Sequence, residues 1–128
     1  MLDHVGFAVS NIEASRRFYE AALKPLGLSV LMEATPDQTE AGGMAIGFGK
    51  GDPFFWIGDN ERVGEGTHIA FTVDNRATVD AFHRAALEAG GVDHGAPGLR
   101  PHYGPNYYAA FVLDPDGANI EAVCRRPE

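Results

Sequence analysis

Three residues able to do chemistry stand out in this chain: His4, His68 and Glu121. His4 lies in LDHVGFAV (residues 2 to 9) and His68 in THIAFTV (67 to 73), two stretches that alternate as short strands do. In the first, Val5, Phe7 and Val9 are bulky and share one face, leaving His4, Gly6 and Ala8 on the other. The second divides in the same way, with Ile69, Phe71 and Val73 opposite His68, Ala70 and Thr72. A histidine followed by small residues leaves room for a ligand on that face. Glu121 sits between Ile120 and Ala122 in a strand-like run. A carboxylate buried there is expected to be paired or bound to a metal, because an isolated buried charge is too costly. A single histidine on a strand is more often structural. Two at matching places, with an acid, make a shared site the sharper expectation.

A second group lies in VDHGAPGLRPHYGPN (92 to 106), a Gly- and Pro-rich stretch read as a long connector that could supply a lid or specificity residues. Arg100 has the fork to pair a substrate carboxylate, and His102 could move a proton. Tyr107 shares strand phase with Phe111 and should face the same cup. A solvated connector with polar decoration is the plainer expectation for any one of these residues. The acidic stretch MEATPDQTEAGG (32 to 43) is expected to be a mobile solvated loop without chemistry. Cys124, beside Arg125 and Arg126, is out of phase with Glu121 and is expected only to fill space.

The elements that must position these groups are written twice. Sliding the chain by 64 residues places His4 on His68, Phe7 on Phe71, Val9 on Val73, Asn11 on Asn75 and Phe18 on Phe82. Ala21, Ala22, Leu23 and Gly27 likewise meet Ala85, Ala86, Leu87 and Gly91. Average composition would give only about two such matches in a stretch of this length. Each copy begins with a strand and continues with a helix, opened by Ser10-Asn11 in one and Asp74-Asn75 in the other. Glycines after each helix supply the stops. Three shorter strands then complete each unit, near 28–33, 44–48 and 54–57, and near 92–94, 107–113 and 119–124. Asp114-Pro115-Asp116-Gly117 is a strong turn signal between the last two. The expected fold is α+β: two βαβββ modules, about 1–64 and 65–128, forming a cupped mixed sheet with helices on the outer face.

The bulk properties fit one domain acting on small molecules. A chain of 128 residues can bury a core without staples. Its net charge of −8 argues against nucleic acid, whose recognition depends on clustered Lys and Arg. No apolar run is long enough to cross a bilayer, and the single cysteine cannot form an internal disulfide. A cytoplasmic protein without membrane or nucleic-acid partners is the expectation.

With its repeat, paired histidines and DPDG-x-x-x-E ending, the whole chain resembles the vicinal oxygen chelate superfamily. That superfamily includes glyoxalase I, extradiol dioxygenases, fosfomycin-resistance enzymes and bleomycin-resistance proteins. The matching pieces are LDHVGFAVSN-IEASRRFYEAAL-KPLG, THIAFTVDN and AFVLDPDGANIEAV. The resemblance implies a cupped sheet around a divalent ion, with ligands from the first and last strands of each module: His4, His68 and Glu121. The fourth position falls at Trp56 or Ile57, neither of which binds metal. With Trp56 there, Phe54 and Trp56 would form an aromatic wall. Two imidazoles and a carboxylate leave positions open for substrate oxygens and suit Fe(II), Mn(II), Ni(II) or Zn(II).

The resemblance then implies an enzyme acting on a small substrate that chelates the metal through adjacent oxygens. Isomerase, lyase, dioxygenase and transferase chemistry all stay open. Trp56 at the acidic position of glyoxalase I counts against lactoylglutathione formation. Phe111 at the tyrosine position of extradiol dioxygenases, together with Ala110, counts against ring cleavage, although His102 fits their histidine. The cluster of anion-binding residues of fosfomycin-resistance enzymes is not evident before Glu121. The alternative is a non-catalytic binder of the bleomycin-resistance type, with Phe54, Trp56, Tyr107 and Phe111 lining an apolar cup. Relatives of this length often form homodimers, in some of which His4 of one subunit would meet His68 and Glu121 of the other.

Overall fold

Two strand–helix–strand–strand–strand units follow one another in the computed structural model, which describes all 128 residues. The first comprises β1 (Val5–Ala8), α1 (Ile12–Leu23), β2 (Ser29–Ala34), β3 (Ala45–Lys50) and β4 (Asp52–Gly58). The second comprises β5 (His68–Thr72), α2 (Arg76–Glu88), β6 (Val92–Leu99), β7 (Tyr108–Leu113) and β8 (Asn119–Cys124). Each unit forms its own four-stranded mixed sheet, ordered β1-β4-β3-β2 and β5-β8-β7-β6. The parallel pairs are β1 with β4 and β5 with β8; the others are antiparallel. No helix is long and apolar enough to cross a membrane.

The helix starts follow from their caps. The Asn11 side chain accepts from the Ala14 amide, and the Asn75 side chain accepts from the Thr78 amide. Gly27, at φ 80°, ends the extra turn after α1 in the left-handed conformation that favours glycine. Both helices turn their apolar face inward. Phe18, Tyr19, Ala22 and Leu23 of α1 are buried, as are Val79, Phe82 and Ala86 of α2.

These faces meet in a single cluster of 20 buried residues drawn from both modules. Phe55 and Phe71 join the modules edge to face, with centroids 5.2 Å apart. A polar clamp adds to this joint. The Tyr19 hydroxyl donates to Asp114 Oδ2 at 2.5 Å, while Asp114 Oδ1 accepts from the Asp116 and Ala118 amides. The Ser10 amide donates to Asp116 Oδ2 at 3.0 Å. The start of the first module thus holds the turn that feeds β8.

Two stretches differ from their expected state. Residues 92–99 of the supposed connector are a strand, β6, paired with β7 from Val92↔Leu113 to Leu99↔Tyr108. Register shifts around Gly95 and between Gly95 and Gly98 absorb irregularities that break any clean alternation. Pro97 is tolerated because β6 is an edge strand. Only the segment from Arg100 to Tyr107 is a loop, closed by the Arg100 amide on the Tyr107 carbonyl at 2.7 Å.

Nor is the stretch 32–43 a free loop. Its first residues belong to β2, and Thr35 and Gln38 then form a capping box around a short 3-10 turn. The Thr39 hydroxyl donates to the Gly43 carbonyl at 2.6 Å, and the Met44 amide donates to Asp59 Oδ1 at 2.7 Å. The Asn60 carboxamide donates to the Ala41 carbonyl. Local polar side chains, which read as solvated in sequence, are what tie this segment to the end of β4.

Candidate functional site

In β8, Ile120, Ala122 and Cys124 face the core, so strand alternation turns Glu121 to the concave side. There it lies between Ala70 of β5 and Phe111 of β7 in register. Its side chain is 2% exposed and its two oxygens have different partners. Oε1 is 2.9 Å from His68 Nε2, and Oε2 accepts from the Tyr107 hydroxyl at 2.5 Å. His68 is 48% exposed, so the pair joins a buried carboxylate to an imidazole open to the cavity. Such a pair can fix the imidazole's orientation and pass a proton to or from a bound molecule.

Aromatic rings and guanidinium groups surround this pair. The His68 ring is 6.2 Å from Phe111. Arg100 lies 5.4 Å over the Phe111 ring and donates to the carbonyls of Ala96 and Gly98, each at 2.8 Å. Arg125 lies 4.8 Å over the Tyr107 ring. Loss of solvent, followed by the hydrogen bond and negative charge of Glu121, pushes the Tyr107 phenol up to about 12, while Arg125 acts in the opposite direction. His102 is exposed in the loop after β6, its ring 4.1 Å from Tyr103, which in turn packs edge to face on Tyr107.

His4 and His68 line one cavity of about 420 Å³ with Phe54, between the starts of β1 and β5. His4 Nδ1 is engaged by Asp3 Oδ1 at 2.7 Å, and its side chain is 60% exposed. It does not join His68 and Glu121, and no three His, Cys, Asp or Glu side chains gather closely enough to hold an ion in this arrangement. The donor chemistry nevertheless fits a divalent metal. The buried Glu121 already faces one imidazole, and a second is held on the same cavity only by an exposed aspartate.

Strand register also identifies the first-module counterpart of Glu121. Ala70 pairs with Glu121, and Gly6, which is 64 residues earlier, pairs with Trp56. On its other side Trp56 pairs with Gly47, where Glu121 has Phe111. The indole lies across Gly47, at which an added Cβ would come within 2.8 Å of Cζ2. Trp56 lines a different cavity, of about 360 Å³, with Gly6, Ala8 and Met44. Phe54 and Trp56 therefore face separate spaces. The structure thus gathers His68, Glu121, Tyr107, Phe111 and Arg100, sets His4 and Phe54 beside them, and places Trp56 and His102 apart.

Sequence reasoning missed Arg125, although its odd-numbered phase with Glu121 was a usable signal. It also missed the Tyr19–Asp114 clamp, for which the pattern carries none, since Tyr19 reads as one more aromatic on a helix face.

Comparison with known proteins gives a consistent picture. A glyoxalase/bleomycin resistance protein from Albidiferax ferrireducens T118 is 28% identical, with each chain covered to 99% and a TM-score of 0.78. A variant of glyoxalase I from Zea mays is 27% identical, with a TM-score of 0.71 over 95% of this chain and 46% of that one. A glyoxalase/bleomycin resistance protein/dioxygenase family enzyme from Burkholderia phytofirmans PsJN shares the fold at 20% identity, with a TM-score of 0.69 over 96% and 97% of the two chains. Among curated proteins none matches. The superfamily's sequence pattern matches residues 1–122, nearly the full length. The chain belongs to the Glyoxalase/Bleomycin resistance protein/Dioxygenase superfamily.

Proposed function

We propose that this protein is a metal-dependent enzyme acting on a small substrate with two adjacent oxygens, with His68 and Glu121 at its centre. One observation carries the reading: a carboxylate 2% exposed, held on the concave face between an open imidazole and a phenol. His4, from the same cavity, would complete a set of two imidazoles and one carboxylate for Fe(II), Mn(II), Ni(II) or Zn(II). When bound, such an ion would polarise the substrate oxygens and stabilise negative charge developing on them.

The remaining roles belong to the chain itself. Tyr107 orients Glu121 through its hydroxyl, while Phe111 and Phe54 shield their sides of the site from water. Arg100 has donors left beyond its two backbone bonds with which to hold a substrate carboxylate. His102, which reaches the site only through Tyr103 and Tyr107, would relay protons from solvent. We extend the reading to a cytoplasmic homodimer, in which His4 of a second copy is the other possible source of the third donor.

The test is metal content per folded chain after separate reconstitution with the four ions, for the parent and for His4→Ala, His68→Ala and Glu121→Ala. About one ion per chain in the parent, lost in all three variants, supports the reading. Folded parent that retains no ion overturns it. Light scattering on the same samples gives the assembly state. A second reading, a non-catalytic binder, is favoured by Trp56 standing where the second module has Glu121. It requires ligand binding that is indifferent to chelator.

A further inference from the structure

We infer that Asn119 is a positioning residue for His68: its carboxamide oxygen accepts from the imidazole Nδ1–H when Nε2 is given to a metal ion. The inference rests on the reading of His68 as a metal ligand. Three buried side-chain polar atoms have no hydrogen-bond partner in the structure: Ser15 Oγ, Arg76 Nε and Asn119 Oδ1. The first two belong to the helices. Asn119 opens β8 two residues before Glu121, so strand alternation turns it to the same concave face. A carbonyl oxygen sealed from water is costly without a donor. One such atom stands beside the candidate site.

Register names the donor. Asn119 pairs with His68 across the parallel ladder of β5 and β8, and both side chains stand on the concave face. Neighbouring strands are about 4.8 Å apart, a spacing that an imidazole and a carboxamide can bridge with one hydrogen bond. His68 Nε2 faces Glu121 Oε1 at 2.9 Å, and a neutral imidazole carries hydrogen on one nitrogen only. With that hydrogen on Nε2, Nδ1 has nothing to donate to Asn119. With Nε2 given to an ion, the hydrogen sits on Nδ1 and needs an acceptor that fixes the ring's tautomer and direction.

The first module meets the same need in another way. His4 stands one residue before the Val5↔Phe55 pair, beside Phe54 of β4, whose ring offers no acceptor. There Nδ1 is engaged by Asp3 Oδ1 at 2.7 Å. The residue before His68 is Thr67, which has no carboxylate, and the acceptor lies on the adjoining strand instead. Each imidazole then has an oxygen for Nδ1 and keeps Nε2 for the ion.

The test compares the parent with Asn119→Leu, which keeps the size and removes the acceptor, and with Asn119→Asp, which keeps an acceptor in place. Zn(II) affinity is measured by competition with a chelator, and the His68 Nδ1–H resonance of each zinc-loaded protein is assigned by long-range proton–nitrogen correlation. The leucine variant should bind Zn(II) about tenfold or more weakly and lose that resonance, while the aspartate variant should retain both. Without metal, exchanging an unpaired buried acceptor for an apolar group of its own shape should leave the urea midpoint unchanged or raised. A lowered midpoint there shows that Asn119 serves the fold alone, and overturns the inference. A parent that binds no Zn(II) overturns the metal reading together with this one. Binding by the parent that the leucine variant matches overturns this one alone.

Discussion

The two oxygens of Glu121 have different partners, and removing either partner has a different consequence. His68 is half exposed, and water can replace it at Oε1. Oε2 receives the Tyr107 hydroxyl in a carboxylate that solvent scarcely reaches. Tyr107→Phe should therefore cost about 1–3 kcal/mol, the penalty for leaving a buried acceptor without its donor. The check is a lower urea midpoint at pH 7 with an unchanged slope. His102→Ala removes only an exposed ring tilted against Tyr103 and should stay within about 0.5 kcal/mol of the parent. Across the pseudo-repeat, Gly47→Ala should cost about 1–3 kcal/mol and shift the emission of Trp56, because the new Cβ meets the indole and Pro53 at under 3 Å. The phase of His68, Glu121, Tyr107 and Phe111 was legible because strand alternation fixes which residues share a face. The separation of Phe54 from Trp56 was not. Both have the same phase, but a register shift between Phe48 and Gly49 leaves Phe54 without a partner in β3, and residues 39–45 wall only the cavity beside Trp56.

Among the elements, β8 depends on its preceding turn, and that turn is held by α1. The Asp114-Pro115-Asp116-Gly117 signal identified a turn in the sequence. It could not identify Tyr19 as the donor, ninety-five residues away, that the buried Asp114 carboxylate accepts. Burial first, and then the charge and hydrogen bond of Asp114, push the Tyr19 phenol well above its ordinary value. Because the folded value is raised, the bond's contribution is present in full below the unfolded phenol's value of about 10. It is lost as pH rises beyond that, since the unfolded chain then ionises while the folded one must stay protonated. Tyr19→Phe should cost about 1–3 kcal/mol at pH 7. The parent's advantage over this variant should narrow as the solution is taken above pH 10 (about the phenol's ordinary value). Urea unfolding of both proteins across that range checks the sign; a gap that stays constant or widens counts against the clamp. The start of β6 was legible near 92–94, but its continuation to Leu99 was hidden for a different reason: the glycines and Pro97, which read as connector, are what an irregular edge tolerates.

For the molecule as a whole, the duplication was the most legible feature, because two copies of a strand and helix leave matching residues at a fixed offset. The repeat does not say whether the copies fold separately. The physical answer lies in the shared core, where Phe18 and Tyr19 of one helix and Val79 and Phe82 of the other belong to one buried cluster. Gly91 permits close approach of the modules, since a Cβ there would come within 2.8 Å of Phe18. Neither half then has a complete core alone, and unfolding should be a single transition. Phe82→Ala is the direct probe, with an expected loss of about 3–5 kcal/mol. Phe82 lies in the second module and Trp56 in the first, so the signals report on different halves. If the core is common, the variant lowers the midpoints of Trp56 fluorescence and of far-ultraviolet circular dichroism by the same amount. If the halves are independent, the Trp56 transition stays where it is in the parent while the dichroism splits into two steps.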